Sequence, residues 1–104
     1  MPMHEIDALK MQFVRSLSPL QIYLFGSYAD GTFNEYSDFD FYIVVADETA
    51  DFADLTAKAY RAIREVKQRP VDIIVGSKSR FESRSQFPSV ENEVAQKGVL
   101  LYAS

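Results

Sequence analysis

Residues 24–29 of this chain read Leu-Phe-Gly-Ser-Tyr-Ala, and residues 37–40 read Ser-Asp-Phe-Asp. The glycine and serine follow a short run of strand-forming residues, where a turn is expected. Ten residues separate this serine from Asp38. Because alternate residues of a strand point to the same face, Asp38 and Asp40 are predicted to stand side by side. The spacing therefore predicts a phosphate-sized turn followed by a pair of carboxylates.

A third carboxylate, Asp72, lies within the apolar run from Val71 to Val75. An unpaired buried carboxylate is strongly unfavourable, so a functional role is favoured for this acid. Neighbouring strands lie about 4.8 Å apart, so Asp72 can face the first pair if the third strand neighbours the second. Two like charges held together are costly unless a cation lies between them, which favours a divalent metal.

The combined pattern predicts a two-metal site for phosphoryl chemistry, in which two ions roughly 3.5–4 Å apart clamp both ends of an in-line displacement. Asp38 and Asp40 are predicted to bridge both ions, while Asp72 binds one ion and orients or deprotonates the attacking hydroxyl. Gly26 lets the backbone approach a triphosphate closely, and Ser27 offers a hydroxyl and an N–H to its oxygens.

Each feature also has a purely structural interpretation when it is taken alone. A Gly-Ser pair after a strand is most often a turn, and an Asp-x-Asp pair is often a solvated strand face. Tyr28, beside the turn, and Tyr42, on the Asp40 face, are candidates for nucleotide stacking, with simple packing favoured for both. The combination at this spacing favours the functional interpretation.

The hydrophobic periodicity predicts one α+β domain that covers residues 1–104, with the element order α-β-β-α-β-α-β. Thr49 or Asp51 is expected to cap the second helix, and a further short helix is expected after Gly76. The predicted helices and strands, in chain order, are Met3 to Leu17, Leu20 to Phe25, Asp38 to Ala46, Phe52 to Val66, Val71 to Val75, a helix that begins at Pro88-Ser89 and is closed by Gly98, and Val99 to Tyr102.

Composition limits the classes of function that this chain can serve. It has no cysteine, which excludes disulfides and thiolate metal sites. No apolar run approaches the ~20 residues that span a bilayer, and the N-terminus lacks signal-peptide features, so a cytoplasmic location is predicted. Residues 16–57 carry eight acids and no Lys or Arg. This stretch disfavours direct binding of nucleic acid and suits metal cations or a basic protein partner.

The Gly-Ser turn and the Asp-x-Asp pair resemble the signature of the polymerase-β-type nucleotidyltransferase superfamily. The short length, Asp72 in its apolar strand, and the ending at residues 97–102, Lys-Gly-Val-Leu-Leu-Tyr, resemble more narrowly the minimal nucleotidyltransferase group of antitoxins. The resemblance covers the chain from about Leu9 to Tyr102. It implies a polymerase-β-like core, a small mixed sheet with helices packed on one side.

Members of this group are typically antitoxins paired with a small all-helical ribonuclease toxin of the HEPN type. The resemblance implies transfer of AMP from ATP, with Mg²⁺, to a tyrosine hydroxyl of the toxin, within a homo- or hetero-oligomer. By position it assigns Gly26 and Ser27 to the triphosphate. It assigns Asp38 and Asp40 to the metals and Asp72 to the third carboxylate.

One residue departs from the pattern of the group. Many relatives have a basic residue shortly after the Gly-Ser turn, where this chain has Asp30. This acid favours an alternative, an antitoxin with weak catalysis that neutralises the toxin by direct binding. The segment from Lys78 to Arg84 is a candidate source of compensating charge. Transfer of a nucleotide to a small molecule or an RNA end is a third alternative.

Overall fold

The computed structural model describes residues 2–48 and 51–104, which form five helices and four strands. In chain order these are α1 (Met3–Leu17), β1 (Gln21–Phe25), α2 (Ser27–Asp30), β2 (Phe39–Val45), α3 (Phe52–Ala62), β3 (Val71–Ser77), α4 (Lys78–Arg84), α5 (Val90–Lys97) and β4 (Val99–Ala103). The predicted α+β class is confirmed. The predicted order α-β-β-α-β-α-β did not include the single-turn helix α2, and α4 is the short helix expected after Gly76.

The four strands form one mixed sheet in the order β3-β2-β1-β4. β1 pairs antiparallel with both β2 and β4, whereas β2 pairs in parallel with β3. A parallel neighbour requires a crossover connection, and α3 provides it between β2 and β3. The condition on which the argument for Asp72 depended, that the third strand neighbours the second, is therefore met.

The longer helices α1 and α3 cover one face of the sheet. Ile6, Leu9 and Phe13 recur at helical spacing on α1 and are fully buried. Alternate residues of β2 point toward them, and the Phe13 and Phe41 rings meet edge to face at 5.1 Å. The β2 residues on this face are Phe39, Phe41, Ile43 and Val45.

The short helices α4 and α5 cover the opposite face, so helices pack on both sides of the sheet rather than on one. Tyr42 and Val44, the alternate positions of β2, are buried there against Phe81 of α4 and Val94 of α5. The reason is that β2 is apolar on both of its faces, and a central strand of this kind needs cover on both sides.

Helix ends follow local capping chemistry. The Asp51 carboxylate accepts a hydrogen bond from the Asp54 N–H and caps α3, as expected, whereas Thr49 lies outside the described residues. Ser89 caps α5 in the same way through the Asn92 N–H. α3 ends at Ala62 instead of continuing to the predicted Val66. Within residues 2–48 and 51–104 no helix has both the length and the apolar character to cross a membrane.

Candidate functional site

The predicted site residues lie where β1 ends and where β2 and β3 begin. Phe25, the last residue of β1, is paired with Asp40 on the antiparallel strand β2. Asp40 is in turn paired with Asp72 on the parallel strand β3. Paired residues of neighbouring strands point to the same face, which here is the face that α4 and α5 cover. The sheet register therefore places the Gly26 turn, Asp40 and Asp72 next to one another.

Gly26 is in direct contact with Asp40. Its backbone has φ 73° and ψ −150°, a conformation that only glycine adopts without strain. A Cβ atom at this position would lie 2.3 Å from Oδ2 of Asp40, closer than any real contact. The absence of a side chain thus allows the carboxylate to lie against the turn. Ser27, the next residue, begins the single helical turn α2.

Asp40 lies in the centre of a negatively charged group. Partial burial raises its pKa from 3.8 to about 6, and the charges of Asp72 and then Asp38 add to the increase. A hydrogen bond with the Asp72 side chain and the charge of Glu93 act in the same direction. The carboxyl therefore holds its proton more strongly than an ordinary aspartate, because burial and then the nearby acids oppose its ionisation.

Asp38 and Asp72 are exposed, in contrast to the partly buried Asp40. Asp38 precedes the first residue of β2 and faces solvent. The expectation that Asp72 is a buried carboxylate was wrong. β3 is an edge strand, and α4 begins at its far end, after Ser77, so the start of this strand stays open to solvent. The argument for Asp72 accordingly rests on its place beside Asp40 and not on burial.

The donor set suits Mg²⁺, because hard divalent cations prefer carboxylate oxygens. A cation beside Asp40 and Asp72 would relieve the repulsion that raises the pKa of Asp40. In the part of the chain that the structure describes, no three His, Cys, Asp or Glu side chains already form a metal-binding group. The residues that fit a metal are thus the paired Asp40 and Asp72 together with Asp38, which is near enough to act on Asp40 through its charge.

Helix α5 brings two further charged residues to the site that the sequence did not reveal. Glu93 is close enough to raise the pKa of Asp40, and Lys97, one helical turn later, acts on Asp30. More than 50 residues separate Glu93 from Asp40 in the chain, so no local motif joins them. Only the packing of α5 on the sheet makes them neighbours.

Asp30 is held within its own loop. Its Oδ1 accepts hydrogen bonds from the N–H of Thr32 at 3.0 Å and from the Thr32 hydroxyl at 2.6 Å. These two bonds are the main cause of a lowered pKa at Asp30, so the carboxylate is ionised at neutral pH. The acid that departs from the family pattern therefore has a local structural role as the acceptor of an Asx turn.

The basic residues of α4 are paired with acids. Nε of Arg84 lies 2.9 Å from Oε1 of Glu91, and Nε of Arg80 lies 3.7 Å from Oε2 of the same residue. Lys78 lies 3.9 Å from Glu82 on its own helix. The basic residues that the sequence suggested as compensation for Asp30 therefore form ion pairs with Glu82 and Glu91.

The two tyrosines proposed as stacking candidates are packed inside the fold. Tyr42 is fully buried, and its hydroxyl donates a 2.8 Å hydrogen bond to Oε2 of Glu91. Tyr28 is 3% exposed and stacks on Phe33 with ring centroids 4.6 Å apart. The packing interpretation of both residues agrees with these contacts.

A cavity of about 290 Å³ opens on the same face of the sheet but at the other end of β1 and β2. It lies between α4 and the strands, and none of the predicted site residues lines it. Its lining residues are Leu20, Gln21, Val44, Lys78, Phe81, Glu82, Ala103 and Ser104. The carboxylate site is therefore an open surface at the edge of the sheet, separate from this cavity.

Comparisons with known proteins identify the family and support the fold. A family model described as a nucleotidyltransferase domain matches residues 8–101, nearly the whole chain. No curated protein matches this chain. Among solved structures, a protein of Sulfolobus solfataricus, provisionally described as a nucleotidyltransferase, is 20% identical with a TM-score of 0.67, and the match covers 96% of this chain and 78% of that one.

Two similar structures contain toxin–antitoxin proteins. One was determined with AMP-PNP and is 24% identical with a TM-score of 0.55, covering 100% of this chain and 75% of that chain. A mutant of the MntA-HpeT toxin–antitoxin is 25% identical with a TM-score of 0.52, covering 100% and 74%. These likenesses show that the small mixed sheet with its helices is a fold found in such proteins.

Proposed function

This chain belongs to the nucleotidyltransferase domain family, and we propose that it transfers AMP from ATP to a tyrosine hydroxyl of a HEPN-type ribonuclease toxin, acting as the antitoxin. The observation that carries the proposal is the contact of Asp40 with the Gly26 backbone on one side and its pairing with Asp72 on the other. This arrangement combines a turn for phosphate with carboxylates for Mg²⁺.

The proposed reaction forms one bond and breaks one. The tyrosine oxygen bonds to the α-phosphorus of ATP, and pyrophosphate leaves with the electron pair of the broken P–O bond. Asp38, Asp40 and Asp72 would hold Mg²⁺, and Asp72 would also orient the attacking hydroxyl and accept its proton. When bound, Mg²⁺ would neutralise charge on the phosphates. Gly26 and Ser27 hold the triphosphate through backbone N–H groups and the serine hydroxyl.

Similarity and charge support the assignment of a toxin as partner. Toxin–antitoxin proteins are among the solved structures that this fold resembles, and one of those was determined with the ATP analogue AMP-PNP. The eight acids of residues 16–57, with no Lys or Arg among them, give this part of the chain a negative charge that complements a basic protein. We propose no contact of this surface with nucleic acid, because phosphate binding requires clustered Lys and Arg.

The test is transfer of label from [α-³²P]ATP to the cognate toxin in the presence of Mg²⁺. Wild-type protein is expected to label the toxin, and Asp38→Asn is expected to reduce the rate by about 100-fold or more, because a charge-stabilising group is lost. Asp54→Asn removes an exposed acid on α3 and is the matched control, with an unchanged rate. Absence of label with the wild-type protein, or equal labelling by Asp38→Asn, would refute the proposal.

The second candidate function is neutralisation of the toxin by binding alone, which the acid at position 30 favours. The Asx turn formed with Thr32 gives Asp30 a structural reason to be present, which weakens this argument. An Asp38→Asn/Asp40→Asn double mutant distinguishes the two functions. Full inhibition of the toxin by this mutant without ATP indicates binding, whereas loss of inhibition indicates that chemistry is required.

A further inference from the structure

Arg69 links helix α1 to the segment in front of β3. Its guanidinium forms a two-pronged contact with Glu5 of α1, with Nε donating to Oε2 at 2.6 Å and Nη2 donating to Oε1 at 3.0 Å. Both side chains are largely covered, with exposed fractions of 20% for Arg69 and 12% for Glu5. Bidentate contacts of this kind fix the plane of the guanidinium as well as its position.

The remaining nitrogen of this guanidinium contacts α2 and the segment before Asp38, on the face of the sheet opposite to Asp40 and Asp72. Nη1 of Arg69 donates hydrogen bonds to the Tyr28 hydroxyl on α2 and, at 3.3 Å, to the carbonyl oxygen of Ser37. The guanidinium also lies over the Phe39 ring, 4.4 Å from its centroid. Ser37 and Phe39 flank Asp38, so Arg69 contacts the residues on both sides of this acid.

The segment that carries Asp38 needs this support because the sheet does not hold it. The ladder between β2 and β3 begins at Phe39, whose N–H donates to the Pro70 carbonyl oxygen at 3.2 Å. Asp38 precedes that point and is exposed. The Tyr28 hydroxyl in turn donates to the Asn34 carbonyl oxygen at 3.2 Å, which extends the contacts of Arg69 into the loop before Asp38.

We infer that Arg69 is a positioning residue that fixes the segment from Ser37 to Phe39 and thereby sets the position of Asp38 relative to Asp40 and Asp72. The inference rests on the proposed function, since it assigns Arg69 to the same site. The guanidinium acts through the Ser37 backbone and the Phe39 ring and does not itself touch nucleotide or metal. A lysine cannot replace it, because an ammonium group lacks the planar fork that reaches Glu5, Tyr28 and Ser37 together.

Substitutions at Arg69 and at two of its partners distinguish a loss of positioning from a general loss of stability. Tyr28→Phe removes the hydroxyl that links Arg69 to α2 and to the loop before Asp38, whereas Glu5→Gln weakens the contact with α1. Arg69→Lys keeps the positive charge and removes the fork. Each variant is measured for thermal midpoint, for Mn²⁺ affinity without nucleotide or acceptor, and for kcat and KM of toxin labelling, at a temperature where all are folded.

Arg69→Lys is expected to weaken Mn²⁺ binding and to lower kcat by about tenfold or more, the usual effect of residues that orient metal ligands. Tyr28→Phe is expected to act in the same direction with a smaller effect. Glu5→Gln keeps one acceptor oxygen for the guanidinium and leaves the Tyr28, Ser37 and Phe39 contacts in place, so it is expected to lower the thermal midpoint while Mn²⁺ affinity and kcat stay within about twofold of wild type. The inference would be overturned if Glu5→Gln lost Mn²⁺ affinity and kcat in proportion to its loss of stability. It would also be overturned if Arg69→Lys kept the Mn²⁺ affinity of wild type.

The proposed function and this inference fail in different ways. If the wild-type protein binds Mn²⁺ and does not label the toxin, the proposed reaction is wrong, while the Mn²⁺ affinities still decide the role of Arg69. Hydrogen exchange gives an independent measurement. The amide of Ser37, which donates to the Asn34 carbonyl oxygen, is expected to exchange faster in Arg69→Lys than in Glu5→Gln. Equal exchange in both variants would also contradict a positioning role.

Discussion

At the scale of single residues, the site depends on the contact between Gly26 and Asp40. The positive φ of Gly26 and its missing Cβ bring backbone against the carboxylate. Asp40 in turn lies beside Asp72, and the two negative charges repel each other. The residues of the site are therefore arranged at a cost to the metal-free fold, which is common where strain or like charges serve a function.

Asp40→Asn is expected to stabilise the metal-free protein at pH 8. The folded pKa of about 6 is higher than the ordinary 3.8, so ionised Asp40 destabilises the fold above pH 6, and this penalty disappears as the pH falls through 6 toward 3.8. After allowance for solvent screening, the gain is about 1 kcal/mol. Chemical denaturation in EDTA at pH 8 and pH 4 measures it. A variant that is less stable than wild type at pH 8 would contradict the repulsion argument.

Gly26→Ala is expected to destabilise the fold by roughly 2 kcal/mol or more and to abolish AMP transfer, because the new methyl group collides with Asp40. Gly31→Ala is the matched control. Gly31 also has a positive φ, of 86°, but a Cβ there meets nothing within 4 Å. This control is expected to lose about 1 kcal/mol from backbone strain and to keep its transfer activity. Equal activity in both variants would show that the Gly26 contact is dispensable.

At the scale of elements, α5 is joined to the sheet through a buried acid. Glu91 is 3% exposed, accepts a hydrogen bond from Tyr42 of β2, and pairs with Arg84 of α4. Gly76 of β3 leaves room for the Tyr42 hydroxyl, because any Cβ at this position would lie 2.3 Å from the tyrosine oxygen. Three elements thus meet at one carboxylate, and this junction holds Glu93 and Lys97 of α5 near the site.

Glu91→Gln is expected to cost about 2 kcal/mol of unfolding free energy, because hydrogen bonds to a buried charge are lost or weakened. Burial alone would raise the pKa of Glu91, but the hydrogen bonds from Tyr42 and Arg84 outweigh burial and lower it. This stabilisation is therefore present above the ordinary carboxyl pKa and is lost as the pH falls through the lowered folded pKa.

Urea denaturation at pH 7 and at pH 3 measures both effects of Glu91→Gln. Glu93→Gln, on an exposed position of the same helix, is the control and is expected to stay within about 0.5 kcal/mol of wild type. If Glu91→Gln costs no more than this control, α5 is held by its apolar contacts alone.

At the scale of the whole molecule, the main apolar core and the candidate site lie on opposite faces of the sheet. The face under α1 and α3 contains the main apolar core, whereas the face under α4 and α5 carries Asp40 and Asp72 at its open end. The acids of residues 16–57 lie in the half of the sequence that supplies the Gly26 turn and β2. Four of these acids, Asp30, Glu35, Asp38 and Asp40, lie before or at the start of β2, near the site, and the other four follow the far end of this strand.

Mg²⁺ together with a nonhydrolysable ATP analogue is expected to stabilise the protein, since a ligand that binds only the folded state raises its stability by about 2.7 kcal/mol at 100 times its Kd. For a domain of this size the thermal midpoint rises by roughly 10 °C. The Asp38→Asn/Asp40→Asn double mutant is expected to show no Mg²⁺-dependent rise in differential scanning fluorimetry. An equal rise in mutant and wild type would place nucleotide binding outside these acids.

The sequence by itself determined the features that depend on local patterns. The helical spacing on α1 and the caps Asp51 and Ser89 follow from side chains within a few residues of each other. The link between Gly26 and the Asp-x-Asp pair also follows from spacing, because a strand, a turn and a second strand bring nearby segments together. The sequence argument only assumed that β2 and β3 are neighbours, and the structure shows that they are, as a parallel pair joined through α3.

Only the tertiary structure decided which distant residues meet. Asp72 is exposed because β3 lies at the edge of the sheet, a fact that an apolar run of residues does not encode. Arg69 reaches Glu5, 64 residues earlier, and Glu91 reaches Tyr42, 49 residues earlier. Contacts at such separations depend on how helices and strands pack together, because side-chain hydrogen bonds have no periodicity along the chain that a sequence pattern could show.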